Sequence, residues 1–589
     1  MPSLTERLTE ITSDAFAECG YDRRYGEVNV SNRPDLGQFQ CNGALAAAKA
    51  HKANPRQIAQ QVADLLTAND ALGEVSIAGP GFINLTLTSA FLTNWVQAAA
   101  TDDRLGVDRI SAPQKVVIDY GGPNVAKPMH VGHLRAAIIG ESVKRIARFL
   151  GHDVVGDVHL GDWGLQMGML ISEMAHRQPD LPYFNPEFTG PYPEESPVTI
   201  GDLEEMYPTA SARAQEDPSV MDAARAATFA LQQGRPGYRA LWQHFHDVSI
   251  VEMKADYATL NVEFDLWLGE SDTQDRIARL IDRLRHGGFA YKSEGALVMD
   301  VAEPGDKKEI PPLMLLKSDG AVLYGTTDLA TIDQRVRDLD VELVVYVVDR
   351  RQGDHFRQVF RAAHRSGIAP ESVRLEHAGF GTMNGADGRP FKTRAGGVMK
   401  LKDLMQLVTD KATERMAEAE VAKDYDDDER AAIAHMVGMA TLKYADLMNH
   451  RSGDYVFDLD RFSSFEGRTG PYLLYTAVRA KSILRKAAAR GLGSGSLLPP
   501  ASDMERSVML KIVDLSDVVY RAWDGRAPNH LCEFGYSLAT TFNRFYHEHH
   551  ILSERDTARR ASWLALSACC VRVLELTLDL LGIEVPERM

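Results

Sequence analysis

A short apolar run, Val116-Val117-Ile118, leads into a loop of small residues and then into a long helical stripe, and this order constrains the fold more than any other feature. The loop reads Asp119-Tyr-Gly-Gly-Pro-Asn-Val-Ala-Lys-Pro-Met-His-Val-Gly-His133. Beyond it Leu134, Ile138, Ser142, Ile146 and Leu150 recur at every fourth position, apolar except for Ser142, and Gly151 stands where a helix C-cap belongs. A buried parallel strand, a turn and a helix make a nucleotide-binding corner, in which the free N–H groups and dipole of the helix start favour phosphate. His130 and His133 fall at that helix start. The arrangement points to chemistry on ATP.

Each candidate has a plainer reading beside the sharp one. The histidine pair either stabilises developing phosphate charge or is a structural pair at a helix start; as a metal pair it lacks a third ligand at a recognisable spacing. Lys127 is a flexible point charge within reach of phosphate, or a solvated loop lysine. Phe391-Lys-Thr-Arg-Ala-Gly-Gly397 is a basic loop facing the histidines, or a hairpin with surface charges. Tyr324 and Asp328, four apart, share one side of a helix beginning near Thr326 and together suit a cationic ligand; otherwise they belong to an ordinary first turn. Asp349, Gln352 and His355 follow a buried strand, where open α/β sheets place ligands.

The 589 residues exceed one core, so several domains are expected. Residues 1–110 form an N-terminal module. Residues 115–405 form an α/β domain, interrupted at about 180–310 by an insertion that opens with a proline-rich stretch. Residues 406–469 are a helical connection, and 470–589 a helical domain with amphipathic segments such as Ser507–Trp523 and Ala558–Leu581. No run of the ~18–20 apolar residues of a membrane span is read, nor an apolar signal core, so a cytoplasmic location is the default expectation. Five cysteines without C-x-x-C spacing support neither a disulfide framework nor a zinc site, and are read as buried thiols. The net charge of −17 weighs against a nucleic-acid partner, although a local basic groove is compatible with an acidic remainder.

Taken in order, these clusters resemble the arginyl-tRNA synthetases, a class I aminoacyl-tRNA synthetase family. The resemblance is carried by Pro123 to His133, Gly161-Asp-Trp-Gly164, Tyr324-Gly-Thr-Thr-Asp-Leu-Ala330, the Phe391–Gly397 loop and Lys443-Tyr-Ala-Asp446. It extends to Gly37-Gln-Phe-Gln-Cys-Asn-Gly-Ala44 near the start, and to Phe542-Asn-Arg-Phe-Tyr546 and Leu581–Met589 near the end. It implies a multidomain α/β plus α chain: a Rossmann-type catalytic core with an insertion, an N-terminal α/β additional domain and a C-terminal all-helical anticodon-binding domain. It implies arginine–tRNA ligase activity, with ATP and accompanying Mg2+, L-arginine and tRNA(Arg) as partners, no zinc, no membrane, and a monomer. The arginine carboxylate would attack the α-phosphate of ATP, and the adenylate would acylate the 2′-hydroxyl of the terminal adenosine; the family generally needs tRNA for the first step.

Carried over by position, the resemblance makes His130, His133, Lys127, Lys392 and Arg394 the catalytic set. Pro123, Asn124, Val125, Ala126, Lys127, Pro128, Met129, His130, Val131, Gly132 and His133 would bind ATP, while Asp119, Asn124, His133, Tyr324, Asp328 and Gln352 would bind arginine. A guanidinium is a planar fork of five donors that carboxylate and amide acceptors match, so lysine would leave partners unpaired. Discrimination of roughly 10⁴ is attainable that way, and no editing domain is expected; the insertion is read instead as an element for the tRNA acceptor end. Gln38, Gln40, Phe82 and Asn84 are candidates for the tRNA elbow, and Tyr536, Tyr546, Met589 and Phe542 for the anticodon, Phe542 being equally a core aromatic. Two departures stand out. Thr393, between Lys392 and Arg394, occupies the second lysine position of the class I signature loop, a charge role Lys127 would share. Gly121 stands where many relatives carry serine. Two rivals remain: another H-x-G-H nucleotidylyltransferase, which would not need the N-terminal module or helical domain, and a synthetase-like RNA-binding protein without catalysis, against which intact His130, Lys127, Asp328 and Gln352 argue.

Overall fold

A computed structural model describes the chain except for residues 1, 2, 319, 386, 390–398 and 424. The chain divides into two compact units, one of Ser111–Lys411 with Ala445–Asp460, the other of Met1–Ile110, Ala412–Tyr444 and Arg461–Met589.

The first unit is built on a parallel sheet. Its elements along the chain are β1 (Lys115–Asp119), α1 (Val131–Leu150), β2 (Asp153–Asp157), α2 (Tyr324–Leu339), β3 (Leu343–Tyr346), α3 (Gly353–Arg365) and β4 (Arg374–His377). The strand order is β4-β3-β1-β2, with Asp119 level with both Tyr346 and Asp157. The chain leaves β1 toward β2 on one side and reaches β3 on the other, and a crevice opens outside the carboxyl ends of strands at such a switch point. The apolar run of β1 and all of β3 are buried, which is why they lack the alternation of half-exposed strands. α1 is buried on nearly every side rather than along one stripe, which accounts for Ser142. Its inward charges are matched: Glu141 takes Lys144 and Arg145, each at 2.8 Å, and the Tyr120 hydroxyl at 2.8 Å. Gly151 ends the helix in the left-handed conformation.

The insertion closes earlier than its composition suggests. Helices Ile200–Glu216, Pro218–Gln232 and Pro236–Thr259 fill it. Val158 and Leu160 then donate backbone hydrogen bonds to Leu266 and Leu268, so the chain has rejoined the sheet margin. Ile277, Leu280, Ile281 and Leu284 of the next helix share one core with Val117 and Val344. Residues beyond about 265 therefore belong to the α/β core. The proline-rich start was legible, whereas the return rests on long-range packing.

In the second unit, an antiparallel sheet ordered Val28–Val30, Phe39–Cys41, Phe82–Leu87, Leu72–Ala78 lies in the N-terminal region. The Ser507–Trp523 segment is two helices, Asp503–Val513 and Leu515–Asp524, parted at Asp514. Contrary to the sequence reading, Thr557–Leu580 is by length and composition apolar enough to cross a membrane. It serves here as a core helix, its Leu564, Leu566, Cys570, Val573 and Leu574 essentially fully buried. Cys41, Cys532, Cys569 and Cys570 are buried free thiols and Cys19 is partly exposed.

Candidate active site

A cavity of about 580 Å³ opens at the carboxyl ends of β1 and β3. Its walls include Asp119, Gly121, the His130–His133 turn, His159, Asp328 and Gln352.

His130 is the N-cap of α1. Its Nδ1 accepts the Gly132 N–H at 3.0 Å, and its own backbone N–H donates to His133 Nδ1 at 3.1 Å. The rings stack with centroids 4.0 Å apart. Because both Nδ1 atoms accept, each neutral ring carries its proton on Nε2 and presents it as a donor. Burial and then Lys127 hold His130 below the usual imidazole range, and burial, then His130 and Lys127, push His133 down to about 3. The pair is thus a fixed set of neutral donors at a helix start.

The preceding loop is held from behind. Val125 N–H donates to the Gly161 carbonyl at 3.0 Å and Gly161 N–H to that of Pro123 at 3.1 Å. A side chain on Gly161 would lie 2.4 Å from Asn124 Oδ1 and would displace the Asn124 side chain. Ala126 takes a left-handed φ of 61° and donates to Ser249 Oγ at 2.9 Å. Pro123, Asn124, Val125, Ala126, Lys127, Pro128 and Met129 do not line the cavity, whereas His130, Val131, Gly132 and His133 do. The Lys127 ammonium lies 4.1 Å from the Tyr207 ring centroid on the insertion, a cation–π contact that keeps it beside the histidines without entering their cavity. Lys392 and Arg394, with the whole Phe391–Gly397 loop, lie outside the described residues.

At the other end, α2 starts at Tyr324 rather than Thr326, and Tyr324 and Asp328 converge on one partner. Asp328 Oδ2 is 2.5 Å from His355 Nε2, and Tyr324, 62% exposed, meets the His355 ring edge-on at 4.7 Å. Gln352 closes the turn before α3 and reaches the same cavity. Asp119 reaches it too, but its carboxylate is taken: Arg335 Nη2 lies 2.6 Å from both Asp119 and Asp157. Among the described residues, Asp119, Asp157 and His159 are the one group with metal-ligand spacing. The Arg335 guanidinium already stands as the cation between its two carboxylates, so the group does not fit a resident metal ion.

The sequence reading missed Arg335, His159 and Glu270. Thr327, Thr331 and Arg335 form a polar stripe on the buried face of α2, a signal legible in principle. Glu270, in the turn after the insertion, is pushed up to about 7 by burial and by the charges of Asp162 and Asp328, with His159 opposing. A carboxyl raised by neighbouring carboxylates marks a region of negative potential beside Asp328.

The RNA candidates divide. Asn84 is buried and accepts from Gln40 at 2.8 Å; Gln38 accepts from Leu87 N–H and from Arg506. These side chains bond within the N-terminal sheet and to the helical domain, Gln38 and Gln40 being half-buried, and Phe82 is half-buried in the same strand as Asn84. Phe542 is a core aromatic. Tyr546 lies under Arg479 at 5.1 Å, in a cleft of about 730 Å³ with Arg490, Arg544 and His547. Tyr536 lies under Arg468 at 5.3 Å in a second cleft with Lys511 and Arg521. Met589 is partly exposed.

Residues 95–459 match the family model described as tRNA synthetases class I (R), catalytic domain. Residues 473–589 match the DALR anticodon binding domain, and 3–87 the arginyl tRNA synthetase N terminal domain. An arginine–tRNA ligase of Alkaliphilus oremlandii is 51% identical over 590 residues, covering the whole of both chains. The chain belongs to the arginyl-tRNA synthetase family. Another member, an arginine–tRNA ligase of Maricaulis maris, is 50% identical, again over all of both chains. The crystal structure of the arginyl-tRNA synthetase from Plasmodium falciparum superposes with a TM-score of 0.83 at 23% identity, over 100% of each chain, and shares the fold. The histidine turn, Asp328 and Gln352 all line the one cavity at the carboxyl ends of β1 and β3.

Proposed function

We propose that this cavity carries out the arginine–tRNA ligase reaction in two steps. The α-carboxylate of L-arginine attacks the α-phosphate of ATP; the phosphoanhydride bond breaks and pyrophosphate leaves. The 2′-hydroxyl of the terminal adenosine of tRNA(Arg) then attacks the arginyl carbonyl, and AMP leaves. The observation that carries this reading is the cavity's polarity: fixed neutral Nε2–H donors of His130 and His133 at a helix N-terminus, and carboxylates at the opposite end.

Charge develops on the phosphate oxygens as the carboxylate attacks. Donors locked in place before the reaction stabilise that charge without reorganising. A neutral imidazole suits the task, and His133, pushed down to about 3, keeps its protonation state near neutral pH. Lys127 contributes positive potential from beside the turn. The substrate guanidinium is received by Asp328 and Gln352, with Tyr324 and Glu270 beside the cavity, and His133 serves the α-amino acid end. Asp119 acts through Arg335, as a structural anchor of the cavity floor. Mg2+ arrives with the nucleotide as part of the substrate. The clefts around Tyr546 and Tyr536 receive unstacked anticodon bases, as local arginine-lined sites on a chain of net charge −17. A monomer working in the cytoplasm completes the reading.

The test is arginine-dependent ATP–pyrophosphate exchange, with and without tRNA(Arg). Exchange that needs arginine is expected, strongest with tRNA present; its absence with both present overturns the reading.

A further inference from the structure

One buried ion pair bordering the cavity has no part in the steps above. Arg135 stands two residues beyond His133 on α1, 2% exposed, and its Nε lies 2.8 Å from Oδ2 of fully buried Asp446. Arg135 Nη1 donates to the Gly453 carbonyl at 3.0 Å. Its guanidinium carbon is 5.2 Å from the Tyr455 ring centroid and 5.8 Å from that of Phe380. Arg135 also lines the cavity, and its buried Nη2 has no hydrogen-bond partner among the described residues.

The 446–456 segment is in turn fastened to the strand region that forms the far wall. Thr382 donates its N–H and hydroxyl to Asp454 at 2.7 and 3.1 Å, and Gly381 N–H donates to the Arg451 carbonyl at 2.9 Å. Arg451 Nη1 returns a bond to the Gly379 carbonyl at 2.9 Å, and Met383 and Asn384 pair with Tyr455 and Val456. Gly381 has no room for a side chain, since a Cβ would fall 2.4 Å from the Gly453 carbonyl. Wall and segment therefore move as one body, which Arg135 joins to α1. Between them lies a slot lined by Val131, Gly132 and Ala136 on one side and Phe380, Thr382 and Met383 on the other.

We propose that Arg135 is a positioning residue for the nucleotide. Through Asp446 and Gly453 it fixes the width and tilt of the slot between the histidine turn and the Phe380–Met383 wall, and so sets ATP affinity. An apolar contact would hold these parts together but let them slide; a planar fork bound to a carboxylate and a carbonyl in different directions does not. Desolvating two charges is costly, so a pair like this adds geometry more than stability. The acidic end of the cavity stands on α2 and the turn before α3, which Arg135 does not touch. Its effect falls on ATP and not on arginine.

The inference rests on the ligase reading for what fills the slot, and two variants test it. Arg135→Lys keeps the charge but loses the fork. In exchange assays with tRNA present, its KM for ATP is expected to rise ~10-fold or more, the loss typical of hydrogen bonds to a charged group, with the KM for arginine within about twofold of wild type. Arg135→Met combined with Asp446→Leu removes both charges; its Tm should match or exceed that of the wild type while the ATP KM stays raised. Wild-type ATP affinity in the double variant overturns the proposal, as does a parallel rise of both KM values with a falling Tm in Arg135→Lys. The thermal shift produced by ATP alone, compared between wild type and Arg135→Lys, separates failure of this inference from failure of the ligase reading: equal shifts overturn it whatever exchange shows.

Discussion

In the cavity at the ends of β1 and β3, the histidine Nδ1 atoms and the carboxylates of Asp119 and Asp328 are each held by another group of the protein. In the clefts of the helical domain, the cations stand exposed over aromatic rings. The His130 and His133 Nδ1 atoms are occupied, Asp328 is paired with His355, and Asp119 and Asp157 share Arg335. Arg479, Arg544 and His547, by contrast, are exposed around Tyr546. The difference follows from the ligands. A transition state lasting a molecular vibration rewards donors that are fixed beforehand, whereas a flexible RNA loop rewards stacking surfaces and charges that adapt.

The comparison is broken most directly at the histidines. His133→Ala should lower exchange by ~10²–10³-fold, the loss typical of one preorganised donor, while Tm falls only slightly. Activity near wild type with the fold intact would reduce the pair to a helix-start structure. Next in size is Asp328→Asn, which keeps the shape and removes the charge. The KM for arginine should rise ~10–100-fold with that for ATP unchanged, as expected when a charged hydrogen-bond acceptor is lost; an unchanged arginine KM removes Asp328 from the pocket. In the helical domain, Tyr546→Ala should raise the KM for tRNA(Arg) about 10-fold, the scale of one stacking contact, and leave tRNA-independent thermal shifts by ATP untouched. The effect of Arg479→Ala should be smaller and fade with added salt, since an exposed cation is screened. A salt-insensitive loss would place Arg479 in the prearranged class.

The smallest effect is in pH. Glu270 is pushed up to about 7, chiefly by burial and then by Asp162. Raising pH through that value ionises it, and the ionised form binds a guanidinium better. The KM for arginine should therefore fall a few-fold from pH 6 to pH 8, a modest change because a single carboxyl titrates. Glu270→Gln should flatten that slope. A slope that survives the substitution assigns the titration to another group.

Features local in sequence were legible from the chain. The Val116–Ile118 run, the helix from Val131 to its glycine cap at Gly151, and the four-residue spacing of Tyr324 and Asp328 all read correctly, because each depends on neighbours a few positions away. What was not legible depends on distant partners. Asp119 looked like a free carboxylate until Arg335, 216 residues away, was found on it. Asn84 and Gln40 looked like surface polar groups, and strand pairing turns them toward each other. The end of the insertion is set where Leu266 and Leu268 meet Val158 and Leu160. Lys127 was assigned to phosphate by spacing, and the Tyr207 ring that holds it belongs to a helix 80 residues on.

The composition of the second compact unit also bears on how the chain is made. Thr5 donates to Asp517, Arg506 reaches the Leu87 carbonyl, and Arg572 donates to the Ala100 and Asp102 carbonyls. Residues 1–110 therefore emerge from the ribosome hundreds of residues before the surfaces that cover them, while the whole α/β unit is synthesised in between. At about 5–20 residues per second that interval is tens of seconds, during which the N-terminal region waits with its docking face bare. Closing so large a loop is slow, and the apolar Thr557–Leu580 helix, part of the core that must form, arrives late. The second unit can thus be completed only once its last residues are made, whereas every residue of the α/β unit is made before residue 461.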